Sequence, residues 1–105
     1  MQIGAQLYTL RIRLGIIGIG NMGSNHAKEI VGGKCPDFEL VAIADVNEER
    51  HNWARETLGE NIQLFFDADK MINSGMIDAC LIAVPHYDHP RYAIACMQKG
   101  IHVLA

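Results

Sequence analysis

The sequence predicts an α/β domain: a doubly wound parallel sheet of about five strands in the order 3-2-1-4-5. Three observations carry this. Short apolar runs alternate with helix-length stretches along nearly the whole chain, the pattern of successive βα units. Those runs are apolar at consecutive positions, as strands covered on both faces must be. The first run empties into Gly18, Gly20 and Gly23, at G-x-G-x-x-G spacing, where a helix begins. Right-handed crossovers then favour the stated strand order, with a cleft where it reverses, across the carboxyl ends of the first and fourth strands.

Residues 14–17 read as the first strand, followed by a helix from about Asn21 to Val31 that Gly32-Gly33 stops. Phe38–Ala44 is the second strand, and Glu48–Leu58 an amphipathic helix ended by Gly59, with Trp53, Ala54 and Leu58 turned to the sheet. Residues 62–66 form a short strand and 67–73 a short helix with Asp67 as its cap. Residues 78–84 are the fourth strand, 90–98 a helix opened by Pro90, and 101–104 the fifth strand. The pairs Met71, Ile72 and Met76, Ile77 read as core. Residues 12–105 make one domain. Residues 1–11 form an extension of open origin: an extra strand, a fusion remnant or an added segment.

A chain of 105 residues buries roughly 60–68% of its unfolded surface, enough for one core. Half its residues are hydrophobic and a fifth charged, the balance of an ordinary globular protein. A formal charge of −3 argues against nucleic acid or an anionic membrane as partner. No apolar run approaches the length of a bilayer span, and no secretory leader is visible. Cys35, Cys80 and Cys96 lack metal-type spacing and read as reduced thiols, which points to the cytoplasm. An exposed apolar sheet end makes a homo-oligomer an open expectation.

The glycine turn has a chemical reading. A strand, turn and helix in that order bring free backbone N–H groups and a positive helix end to one point, which suits a pyrophosphate. Gly18 permits the tight turn, Gly20 clears space for phosphates, and Gly23 lets helix and strand approach. Asp45 closes the second strand 22 residues after Gly23, where a carboxylate accepts ribose hydroxyls. Its charge also opposes a 2′-phosphate, by about 4 kcal/mol for one pair near 4 Å at an effective dielectric near 20. NAD is therefore expected over NADP. The plainer reading of Asp45 is a solvated loop residue.

Three motifs together resemble the N-terminal domain of the glucose–fructose oxidoreductase, inositol dehydrogenase and rhizopine-catabolism family (Gfo/Idh/MocA), over residues 12–105. They are Gly18-Ile19-Gly20-Asn21-Met22-Gly23, Ala44-Asp45-Val46-Asn47, and Ala83-Val84-Pro85-His86-Tyr87-Asp88-His89. The last is similar to the family's T-P-N-x-x-H segment, with Val84 and His86 replacing Thr and Asn, and Gly100-Ile101-His102-Val103 matches the strand that follows it. The resemblance implies a Rossmann-type fold in which Val84-Pro85-His86 passes beneath the nicotinamide ribose and His89 lies near the cofactor's reactive end. It also implies a catalytic Lys in an E-K-P motif after the fifth strand, and an Asp and a His in a second, substrate-binding domain. None of these falls within residues 1–105, and Lys99 does not replace the Lys. The chain is accordingly expected to bind the cofactor weakly, without turning over substrate by itself.

The candidate cofactor-binding residues are thus Gly18, Gly20, Asn21, Met22, Gly23, Asp45, Val46, Arg50, Val84, Pro85, His86 and His89. Some have competing readings. Arg50 can stack on adenine through its planar guanidinium or pair with Glu48 or Glu49. Asn21 can offer its N–H to phosphate or cap the helix. His26 approaches the site or is a half-exposed structural residue. His86, Asp88 and His89 lack the further ligand a metal needs, so no metal site is expected. Two functions remain: the NAD-binding domain of an oxidoreductase acting on a polyol or sugar hydroxyl, or a free-standing NAD-sensing regulatory module.

Overall fold

The computed structural model describes residues 11–85 and 88–104. The extension before residue 11, the possible extra strand within it, and His86 lie outside the described residues. The elements alternate as β1 (Ile12–Ile17), α1 (Asn21–Val31), β2 (Phe38–Ala44), α2 (Glu48–Leu58), β3 (Gln63–Phe65), α3 (Ala68–Ile72), β4 (Ala79–Ile82), α4 (His89–Gln98) and β5 (His102–Leu104). The sheet runs β3-β2-β1-β4-β5, and all of its pairings are parallel. Order and element types follow the sequence expectation. Several ends move by one or two residues; the ladder of β4 stops at Ile82, so that Ala83 and Val84 leave the sheet for the site. No helix among the described residues is long and apolar enough to cross a membrane.

Local chemistry starts the helices where expected. The Asn47 side chain accepts a hydrogen bond from the Glu49 N–H at 2.8 Å, and Glu48 and Glu49 place negative charge at the positive end of α2. Asp67 caps α3 by accepting from the Asp69 N–H at 2.9 Å. Helix α1 differs: its cap position is Gly20, no side chain caps it, and its first turn carries no acidic residue. The capping role open to Asn21 is not the one it takes.

The sheet separates two apolar layers. Leu14, Ile16, Leu40 and Ile43 pack with Ala27 of α1 and Ala54 and Leu58 of α2. Ile17, Ala42, Ala44, Cys80 and Ile82 pack with Met71 and Ile72 of α3 and Cys96 of α4. Trp53 supports the first layer from a half-buried position. Both buried cysteines are free thiols, and burial pushes each above its ordinary value, so they behave as apolar filling.

One irregularity sets the geometry of the site. Leu14 pairs with Leu40, but Gly15 pairs with Ala42, so Val41 is an extra residue in β2. A strand alternates faces at every residue, and one added residue inverts all that follow. Leu40 and Ile43 therefore share a layer although three positions separate them, while Ala42 and Ala44 face the other way. Asp45, next in line, falls on the side of α1 and the glycine turn.

At the opposite end of the sheet, Arg13 grips Asp78 with Nε and Nη2 at 3.1 and 2.9 Å, and its own N–H adds a bond at 3.0 Å. These hydrogen bonds hold the Asp78 carboxyl at about 2, below its ordinary 3.8. The group therefore stabilises the fold above about pH 3.8, and that contribution disappears as pH falls to about 2. Both side chains are about half exposed, so the effect is small. Thermal melts should show Asp78→Asn less stable than wild type at pH 7, with the gap closing below pH 4. A gap independent of pH would mean that the ion pair contributes nothing.

Candidate functional site

The site lies at the carboxyl ends of β1, β2 and β4, at the reversal of strand order. Gly18 leaves β1 with φ +88°, a conformation that L side chains rarely adopt, and a Cβ there would stand 2.9 Å from Val84 Cγ1 and 3.2 Å from the Ala83 carbonyl oxygen. The turn is thus pressed against the loop after β4. A Cβ on Gly23 would overlap the Gly18 carbonyl oxygen, so the first turn of α1 rests directly on the glycine turn. A Cβ on Gly20 would meet nothing within 4 Å. The open space faces the uncapped start of α1, where the N–H groups of a helix's first turn have no partner within the helix.

Asp45 binds through all four of its polar groups. Oδ2 accepts from the Ile19 N–H at 2.9 Å, and Oδ1 from the Asn47 N–H at 2.8 Å. The Asp45 N–H donates to the Phe65 carbonyl at 2.9 Å. Its carbonyl lies 2.7 Å from His51 Nε2; because a carbonyl only accepts, that nitrogen carries a proton. The carboxylate is therefore fixed across the glycine turn. It keeps acceptor capacity, since an ionised carboxylate offers about four lone-pair sites and two are taken.

A cavity of about 270 Å³ opens here, lined by Gly18, Asp45, Val46, Phe66, Val84, Pro85, Asp88 and Tyr92 over a floor of Ile17, Ala44 and Ala68. This falls slightly below the ~300–1,000 Å³ of complete small-molecule pockets. Of the residues expected from sequence, Gly18, Asp45, Val46, Val84 and Pro85 converge on it. Gly20, Asn21, Met22 and Gly23 sit at the adjoining start of α1, with Asn21 and Met22 exposed.

Other candidates lie apart. Arg50 is half-buried, does not line the cavity, and forms no ion pair among the described residues, with Glu48 and Glu49 included. His89 opens α4 ahead of Pro90, and its Nε2 donates to the Val84 carbonyl at 2.7 Å, tying the helix to the loop before it. His26 is exposed, 3.7 Å from Glu29. Lys99 ends α4 in solvent. Phe66, Tyr92 and His51 join the site without having been singled out from sequence, and Asp88, weighed there only as a metal ligand, lines the cavity. For His51 a signal existed: it stands three and seven residues before Ala54 and Leu58, on the buried face of α2.

The residues fit a dinucleotide. The space at Gly20, the exposed first turn of α1 and the fixed, still accepting carboxylate of Asp45 match the needs of a pyrophosphate and a ribose diol. The comparisons with known proteins agree. Residues 12–105 match the family model described as "Oxidoreductase family, NAD-binding Rossmann fold", and the chain belongs to this Gfo/Idh/MocA family. It is 28% identical over 95 residues to inositol 2-dehydrogenase 1 of Saccharopolyspora erythraea, covering 90% of this chain and 28% of that protein. It is 33% identical over 92 residues to myo-inositol 2-dehydrogenase of Thermotoga maritima, covering 88% and 27%. The fold matches the scyllo-inositol dehydrogenase of Lactobacillus casei, solved with NAD(H) and scyllo-inositol, at a TM-score of 0.82 and 32% identity, over 89% of this chain and 27% of that one. The chain thus spans little more than a quarter of the length of these relatives. They are dehydrogenases, and they lend no support to a free-standing regulatory module.

Proposed function

We propose that residues 12–105 are the cofactor domain of an NAD-dependent dehydrogenase acting on a polyol hydroxyl, with inositol-like rings as the favoured substrate class. The observation that carries this is the Asp45 carboxylate, fixed to the Ile19 N–H across the glycine turn beside a cavity of nucleoside scale. The Gly18–Gly23 backbone and the start of α1 receive the pyrophosphate. Asp45 accepts the adenosine ribose hydroxyls and disfavours a 2′-phosphate. Val84 and Pro85 support the path toward the nicotinamide end, and His89 holds that loop in place. When bound, the nicotinamide supplies the hydride acceptor. Residues 12–105 orient it and contribute no acid or base to the substrate, so this chain alone is expected to show no turnover of myo-inositol. The substrate class follows from the similarity to inositol dehydrogenases.

Calorimetric titration of the chain with NAD and NADP tests the reading. NAD should bind more tightly than NADP. Asp45→Ala should weaken NAD by about tenfold, since a hydrogen bond to a charged group contributes ~1.5–3 kcal/mol, and should narrow its advantage over NADP. Equal affinity for both cofactors in the wild type would end the ribose assignment, and no binding of either would end the site.

A further inference from the structure

Phe66 stands out as an apolar side chain placed where folding alone gives it little reason to be. It follows β3 directly, is 54% exposed, and lines the cavity beside Asp45 and Val46, the latter 86% exposed. Its ring is nonetheless held in one orientation. The His51 ring lies parallel to it, 12° from coplanar with centroids 3.9 Å apart, and His51 is itself only 1% exposed. His51 cannot drift, because Nε2–H donates to the Asp45 carbonyl at 2.7 Å and its backbone belongs to α2. One face of the phenyl ring is therefore covered, and its remaining exposure lies on the other face and the edge. Exposed apolar groups gathered at a cavity mouth mark a surface that a ligand covers.

We propose that Phe66 is the adenine-stacking residue of the cofactor site, with His51 as the positioning residue that fixes both the phenyl ring and Asp45. This rests on the dinucleotide reading above and goes beyond it in assigning the base contact. An adenine stacked on the open face of Phe66 would extend the stack already formed with His51. The base and the ribose clamp are coupled through one imidazole, since His51 touches Phe66 through its ring face and Asp45 through its N–H. The backbone bond from Asp45 N–H to the Phe65 carbonyl ties the two contacts a second time. Stacking reads a flat π-face rather than a hydrogen-bond pattern, so the contact supplies affinity for the adenosine half of any adenine dinucleotide, and Asp45 supplies the choice between them.

NMR and calorimetry on the chain with ADP-ribose and with nicotinamide mononucleotide test this. In the wild type, adenine H2 and H8 of ADP-ribose should shift upfield and show nuclear Overhauser contacts to the Phe66 ring. Phe66→Ala should weaken ADP-ribose and NAD by about tenfold or more and abolish the upfield shift, while leaving nicotinamide mononucleotide unchanged. Phe66→Trp should retain affinity. His51→Ala should reduce the adenine shift, and His51→Phe, which restores a flat ring behind Phe66, should recover it. Unaltered ADP-ribose affinity and adenine shifts in Phe66→Ala would overturn the stacking assignment and leave the dinucleotide site standing. A wild-type chain that binds neither ADP-ribose nor NAD would overturn the reading beneath it.

Discussion

Gly20→Val is expected to leave the fold intact and remove dinucleotide binding. The two effects separate because the role proposed for Gly20 concerns the ligand and not the fold. Its φ of −67° and ψ of −154° are extended values open to a side chain, and an added Cβ finds no atom within 4 Å. The added Cβ meets no overlap in the folded chain, so stability should change by no more than about 0.5 kcal/mol, as at an ordinary surface position. The valine methyls instead fill the space before the first turn of α1, which a pyrophosphate must enter. Holding the phosphates off two amide donors forfeits two charge-assisted hydrogen bonds of ~1.5–3 kcal/mol each, or at least about 100-fold in affinity at 1.4 kcal/mol per tenfold. The check is a thermal melt and an NAD titration on one sample. Wild-type affinity in a folded Gly20→Val chain would place the phosphates elsewhere.

Much of this site could be read from residues alone, because the features that build it are local. The glycine spacing, the strand before it and the carboxylate ending the next strand belong to one βαβ unit, in which each residue's place follows from position along the chain. The strand order likewise follows from alternation and crossover handedness. What escaped depends on register and on contacts between distant elements. The extra residue at Val41 leaves no mark within residues 40–44, where every position is hydrophobic, yet it turns Asp45 toward Ile19. Phe66 looks like the last residue of a buried strand until the ladder is seen to end at Phe65. Its stack with His51 joins α2 to the segment after β3, a pairing that periodicity does not encode. Arg50 is a different case: its spacing from Asp45 suggests an adenine contact and its neighbours Glu48 and Glu49 an ion pair, and it forms no ion pair among the described residues and does not line the cavity.

Gly23→Ala should do the reverse of Gly20→Val and damage the fold first. Alanine is the better helix former by about 1 kcal/mol, and at an exposed position in α1 the change would stabilise. Here the new Cβ would overlap the Gly18 carbonyl oxygen and approach the Ala83 Cβ to 3.3 Å. The nearest of these is backbone, so no rotamer change relieves it. Helix α1 must lift from the turn, or the turn must deform where Gly18 already holds φ +88°. Overpacking of this kind costs ~1–3 kcal/mol and occasionally more. With a backbone atom as the obstacle, the upper end applies even after the gain in helix propensity. For a domain of this size each kcal/mol moves the midpoint by about 4–8 °C, so a fall of roughly 10 °C or more is expected in a calorimetric melt. NAD affinity should fall with it, because the same displacement moves the first-turn N–H groups from the pyrophosphate position. A variant as stable as wild type would mean that α1 and the glycine turn are not in the tight contact from which the anion site is built.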